Sequence, residues 1–211
     1  MMAGWCDNRM KLGVPYFSQQ RDVEREEWRS RACGVTAIKM TLDFYAPKNA
    51  VSIDDLIDEG VVIGGYGEHG WIHDGLVILA RNHGLNAYRQ EFKSMTIDPS
   101  KRTGRVNERE HELAESGIKK ITRVLESGMP VIVSIHGGFK SGGGHHIVVL
   151  TGVNAGKEEE TVNGFYYHEP NSNDSASGMY AYVDRETFKK HWRKMAIFVS
   201  DTGQMDECYR A

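Results

Sequence analysis

Arg31-Ala32-Cys33-Gly34-Val35-Thr36-Ala37-Ile38-Lys39-Met40 places a lone cysteine, followed by glycine, at the head of a helical pattern. Val35, Ile38, Leu42 and Tyr45 recur at helical spacing, while Ala37, Met40, Thr41 and Phe44 fill a second stripe and Lys39 and Asp43 remain as an i,i+4 pair. A helix with two apolar stripes is mostly buried. It ends at Ala46, because the residue before Pro47 disfavours helical geometry. Backbone N–H groups left unpaired at a helix N-terminus carry partial positive charge, which favours thiolate over thiol. Cys33 is therefore a candidate nucleophile.

The 211 residues, 40% of them hydrophobic, suffice for one substantial core, and the whole chain, 1–211, reads as a single domain. A formal net charge of -3 gives no general pull toward nucleic acid or an anionic membrane, so the expected partner is a small molecule or a peptide. Cys6, Cys33 and Cys208 are too few and too scattered for a disulfide framework or a paired-cysteine zinc site. The opening nine residues lack an apolar signal region, and apolar runs such as Gly75 to Ala80 and Ile147 to Leu150 fall far short of membrane-spanning length. The chain thus reads as soluble and cytoplasmic.

Upstream of the cysteine, Val14-Pro15-Tyr16-Phe17-Ser18-Gln19 is an extended segment leading into the charged loop Arg21 to Arg31. Downstream, Ser52 caps a short helix, Gly64-Gly65-Tyr66-Gly67 is a turn, and Trp71 to His83 is a helix with Ile72, Leu76, Leu79 and Ala80 on one face. A strand follows over Asn86 to Phe92, then a polar loop or insertion over 94–110, and an amphipathic helix from Leu113 to Leu125. The second half alternates strands with turns: Pro130 to Ile135, His146 to Val153, Gly164 to His168 and Met195 to Val199, with a late helix from Asp184 to Trp192. Helices first and a sheet afterwards make an α+β fold, two layers meeting along one groove.

A cysteine nucleophile needs a base within hydrogen-bond reach, and the base needs a third group to hold its ring. His146 opens an apolar strand directly after Ser141-Gly142-Gly143-Gly144-His145, at a strand edge where glycines leave room for substrate. The next strand ends in His168-Glu169-Pro170-Asn171, so Glu169 or Asn171 could lie beside the imidazole. A cysteine on an early helix, with histidine 113 residues later on a sheet, is the papain-like order.

Four strings agree with that order: Val14 to Gln19, Ala32-Cys33-Gly34 with Met40 and Phe44-Tyr45, Gly128-Met129-Pro130-Val131-Ile132-Val133, and His146 with Val148-Val149 and Gly152. Together they resemble the papain-like cysteine peptidases typified by the bacteriocin-processing domains that cut after double glycine. More closely, they are similar to that family's stand-alone bacterial relatives, peptidase family thirty-nine. Asp184 to Phe188 followed by Trp192 matches the family's last helix, so the resemblance spans about 12–199.

The resemblance implies a papain-like fold, with a buried central helix starting at the cysteine and packed on a C-terminal antiparallel sheet. It implies Cys33 as nucleophile and His146 as general base and acid. Gln19 would be the side-chain donor of the oxyanion hole beside the backbone N–H of Cys33, with Gln20 in that role if the register shifts by one. The family usually has aspartate before proline where this chain has Glu169-Pro170, one methylene longer; Asn171 could hold the imidazole instead. The substrate implied is a peptide or protein cleaved through an acyl-cysteine, with no metal and no organic cofactor.

Other readings stand beside this one. A papain-fold acyltransferase or transglutaminase-like enzyme would pass the acyl group to an amine, and an inactive papain-like binding protein would keep only the shape. His145 and His146, adjacent on a strand, point to opposite faces and cannot easily share an ion. His69 and His73 sit four apart near Glu68 and Asp74 but lack a third ligand, and are left unassigned as surface polarity. Gly142-Gly143-Gly144 lacks the Lys-Ser/Thr ending of a phosphate loop. Trp28 and Trp71 could line the groove or fill the core. For the nucleophile reading, iodoacetamide is expected to label Cys33 faster than Cys208, measured by peptide mapping over time; equal rates would argue for an ordinary thiol.

Overall fold

The computed structural model describes residues 9–48, 50–94, 104–156 and 161–201. Cys6, Cys208 and residues 95–103 lie outside the described residues. Strand β1 (Arg9–Lys11) leads to helix α1 (Cys33–Tyr45) and helix α2 (Ile53–Val62). A small hairpin, β2 (Tyr66–Gly67) and β3 (Gly70–Trp71), precedes helix α3 (His73–Asn82) and strand β4 (Asn86–Glu91). Then come α4 (Gly104–Glu126), β5 (Val131–His136), β6 (His145–Ala155), β7 (Val162–His168), a single turn α5 (Ser175–Gly178), β8 (Ala181–Asp184), α6 (Arg185–His191) and β9 (Trp192–Ser200).

Seven strands form one antiparallel sheet in the order β4-β9-β5-β6-β7-β8, with β1 pairing on β6. Side chains alternate across it. Ile147 and Val149 of β6 join the core under α1, α2 and α3, while Val148 and Leu150 join a second core with Ile118, Ile121 and Leu125 of α4 and Phe188 of α6. The molecule therefore has three layers where two were expected. Apolar runs such as Val131 to Ile135 show no alternation because both faces of the sheet are covered.

The expected loop over 94–110 is corrected in its second part: residues 104–110 are the first turns of α4, which starts well before Leu113. Asn107, Glu108 and Arg109 are exposed there, so those turns carry no apolar stripe for periodicity to register. Ile72 is also displaced from its expected helical face. It precedes α3 as the N-cap residue, 47% exposed.

Helix α1 is enclosed along its first nine residues after the cysteine. Val35, Ala37, Ile38, Met40 and Leu42 are fully buried, and Thr41 Oγ1 donates back to Ile38 O at 2.8 Å rather than reaching solvent. Even Lys39 is buried, its Nζ 2.7 Å from Asp43 Oδ1 and its charge over the Phe17 ring. Ser52 caps α2 through a reciprocal box with Asp55, as its sequence position suggested.

The hairpin is held against α1 by Trp71, which is 8% exposed. Its indole Nε1 donates to Arg31 O at 2.8 Å, and its ring lies against Gly34 and Gly60, where a Cβ would come within 2.8 Å and 2.6 Å of ring carbons. That contact explains the glycine after Cys33. The base of the hairpin is as close: Ile72 N donates to Gly65 O at 2.9 Å, and a Cβ on Gly75 would meet Gly65 Cα at 2.3 Å. Because that obstacle is backbone, Gly75→Ala is expected to destabilise the protein by about 1–3 kcal/mol in chemical denaturation, by forcing the hairpin away from α3.

Candidate active site

Cys33 occupies the first turn of α1 and is half-buried, facing a cleft of about 500 Å³. Ala32, the N-cap, offers no side-chain cap, so the opening N–H groups of α1 are not taken by a capping side chain. One wall of the cleft is the β2–β3 hairpin with the start of α3. The floor is the end of the sheet, at Ser134 of β5 and His145, His146 and Ile147 of β6.

His146 pairs with Ile135 across the sheet and holds its ring against the cleft. Its Nε2 lies 2.5 Å from Glu169 Oε1, both side chains being largely buried, at 12% and 17% exposure. With Nε2 so engaged, the other ring nitrogen is left for Cys33, whose side chain acts on the imidazole electrostatically. Burial of the ring opposes its charged form, but the interactions with Cys33 and Glu169 outweigh it, and the His146 pKa is pushed up to about 10. The structure thus brings Cys33 and Glu169 to the same imidazole.

Glu169 sits just beyond β7, whose pairing with β6 delivers it to the imidazole. Its extra methylene is accommodated by a curl of the chain, in which Oε1 also accepts from Asn171 N at 2.9 Å. Tyr16 Oη donates to Glu169 O at 3.1 Å and Glu169 N donates to Gly178 O at 2.8 Å, fixing the backbone on either side of the carboxylate. Neighbouring His168 is fully buried and serves structure: Nε2 faces Val14 O at 2.9 Å and Nδ1 accepts from Tyr180 N at 3.1 Å.

Asn171 turns away from the imidazole and toward the glutamines. Gln19 Nε2 donates to Arg29 O at 2.7 Å and Asn171 Oδ1 at 3.2 Å; Gln20 Nε2 reaches the same two acceptors at 3.2 Å and 2.7 Å. Gln19 is 2% exposed, its Oε1 buried without a partner, whereas Gln20 is half-buried. No hydrogen bond joins either glutamine to Cys33 among the described residues. Both lie on the segment that Ser18 Oγ, donating to Ser172 O at 2.6 Å, and Gln19 N, donating to Pro170 O at 2.7 Å, tie to the Glu169–Asn171 turn.

The cleft also contains residues that the motif reading passed over. His69, exposed, and His73, half-buried, both line it, and so do Ser134 and Arg193. The signal for Arg193 was present: Arg193-Lys194 interrupts an otherwise apolar run from Trp192 to Val199. Among the described residues no three His, Cys, Asp or Glu side chains gather as a metal site, and no helix is long and apolar enough to cross a membrane.

The sign of the His146 shift makes a prediction. A histidine raised from 6.5 to about 10 adds stability that is fully present below pH 6.5 and is lost as pH rises through 10. The stability gap between wild type and His146→Gln in urea denaturation should therefore be widest near pH 6 and shrink toward pH 10.5. A gap that stays flat over this window would mean that the ring is not held charged.

Known proteins place this geometry. A candidate C39-like peptidase from Bacillus anthracis shares the fold at a TM-score of 0.58 and 17% identity, over 92% of this chain and 98% of that one. The double glycine motif protease of an AMS/PCAT transporter, solved with its leader peptide, superimposes at 0.51 and 17% identity over 91% and 94%. No curated protein sequence matches the chain. The Peptidase_C39 like family matches residues 11–197, nearly the whole described fold, and the chain accordingly belongs to that family of papain-like cysteine peptidases.

Proposed function

We propose that this peptidase cleaves a peptide bond through an acyl-enzyme on Cys33. The observation that carries the reading is the His146 imidazole, hydrogen-bonded to Glu169 and sharing a cleft with Cys33, which acts on it electrostatically. In this scheme the Cys33 proton rests on His146 before attack, and the sulfur adds to the scissile carbonyl, forming the C–S bond as the carbonyl electron pair moves onto oxygen. His146, held charged by its two partners, then protonates the amine as the C–N bond breaks. Water, deprotonated by the same imidazole, hydrolyses the thioester and returns the thiol. Glu169 is the positioning group that keeps one ring nitrogen engaged so that the other faces sulfur.

The oxyanion would be met by the backbone N–H of Cys33 and a glutamine carboxamide. Gln19 is the first choice on motif grounds, and Gln20, more exposed and sharing both acceptors, is the alternative. A leader peptide is what the transporter protease holds; for this chain a peptide or protein substrate is the corresponding proposal.

Cys33→Ala should abolish turnover of a casein or mixed-peptide substrate followed by amine release. Glu169→Gln should lower kcat by on the order of a hundredfold or more. Of Gln19→Ala and Gln20→Ala, the one that removes the oxyanion donor should cost about a hundredfold in kcat. Full activity in Cys33→Ala would overturn the mechanism.

A further inference from the structure

Strand β9 is irregular where it reaches the cleft. Ser134 of β5 pairs with Met195, but the next residue, Ile135, pairs with Trp192, so Arg193 and Lys194 are extra residues facing no partner on β5. Lys194 adopts φ +59°, a left-handed conformation that is costly for a residue with a Cβ. Bulges of this kind re-aim a side chain. Here the side chain is Arg193, which is carried onto the cleft floor, where Nη1 donates to Ser134 Oγ at 3.0 Å.

The guanidinium has five donors, and only this hydrogen bond is made to it among the described residues; no described carboxylate lies within ion-pair distance. Glu91, whose charge it feels, is held by Arg89 at 3.3 Å and Lys93 at 3.2 Å. The imidazoles of His69, His73 and His145 line the same cleft, with Glu68 as its acidic residue. Burial, then the charges of Arg193 and Arg89, push the His73 pKa down to about 4, and burial, then Arg193, lowers that of His145. Both rings are therefore neutral at neutral pH, and Arg193 is a fixed cation on the cleft floor, with Arg31 the other arginine of the lining. A half-buried arginine with unused donors is repaid when a carboxylate takes two of them at once.

We propose that Arg193, with Ser134 and His73, forms a subsite for a substrate carboxylate close to the scissile bond, and that Arg193 is a specificity-determining residue of this peptidase. The proposal rests on Cys33 as nucleophile. The carboxylate could belong to an Asp or Glu side chain or to the C-terminus of a short peptide.

Two measurements on the full chain test it. The first needs no substrate: the rate of Cys33 alkylation by iodoacetate relative to iodoacetamide, by peptide mapping. A cation at this end of the cleft favours the anionic reagent, so the ratio should fall severalfold in Arg193→Met and further in Arg193→Glu, while Arg193→Lys retains most of it. The ratio cancels changes common to both reagents. The second uses quenched peptides varied on both sides of the cleaved bond, and short peptides ending in acid or amide. An acidic residue over its amide should raise kcat/KM about thirtyfold or more in wild type, and Arg193→Met should level the two; preference for the free acid end assigns the carboxylate to the terminus. An alkylation ratio unmoved by Arg193→Met, or an acidic preference that survives it, overturns the subsite. Failure of the underlying reading looks different: Cys33 would then react with iodoacetamide no faster than Cys208.

Discussion

A helix with no solvated face must be walled in on every side, and α1 is such a helix. Its residues from Gly34 to Leu42 are buried, including a lysine paired with Asp43. The sheet covers one side and α2 and α3 the other, which places Val35, Ile38 and Leu42 in the same core as Ile147 and Val149. Burying side chains of this size contributes roughly 1.5–3 kcal/mol each relative to exposure, before ordering costs. Enclosure leaves the helix N-terminus as the place where α1 meets the cleft. That is where Cys33 sits.

The same enclosure positions the candidate site. Trp71 wedges the hairpin against Gly34 and Gly60 and takes the Arg31 carbonyl, so the cysteine's approach and one cleft wall are set by a single side chain. On the sheet side, β6 and β7 carry His146 and Glu169 as neighbours in a hydrogen-bonded ladder. The Val14–Gln20 segment then closes over the Glu169 turn through Tyr16, Ser18 and Gln19. An imidazole between a thiol and a carboxylate stays charged only while such a frame excludes water from its side and keeps both partners in reach.

Residues with local signatures were legible in the chain. Cys33 announces itself by the helix pattern that follows it, His146 by the glycine-rich run before an apolar strand, and Ser52 and Asp184 by capping positions that the structure reproduces. Other features had no local signature. The first turns of α4 are exposed and charged, so they read as loop; the third layer became visible only when Ile118, Ile121 and Leu125 met the far face of the sheet. Gln19 and Gln20 are indistinguishable as strings, and in the fold they reach the same two acceptors with the distances interchanged.

The sequence by itself determined the main helices and strands, the buried cysteine helix and the candidate residues Cys33 and His146 with Glu169 or Asn171, because helical spacing, caps and strand runs are encoded within a few neighbours. Only the tertiary structure decided which residues meet. That Glu169 and not Asn171 engages the imidazole depends on the β6–β7 register, and that Arg193 enters the cleft depends on a two-residue bulge in β9. Both are long-range pairings, fixed by how the strands dock and by no property of the residues nearby in the chain.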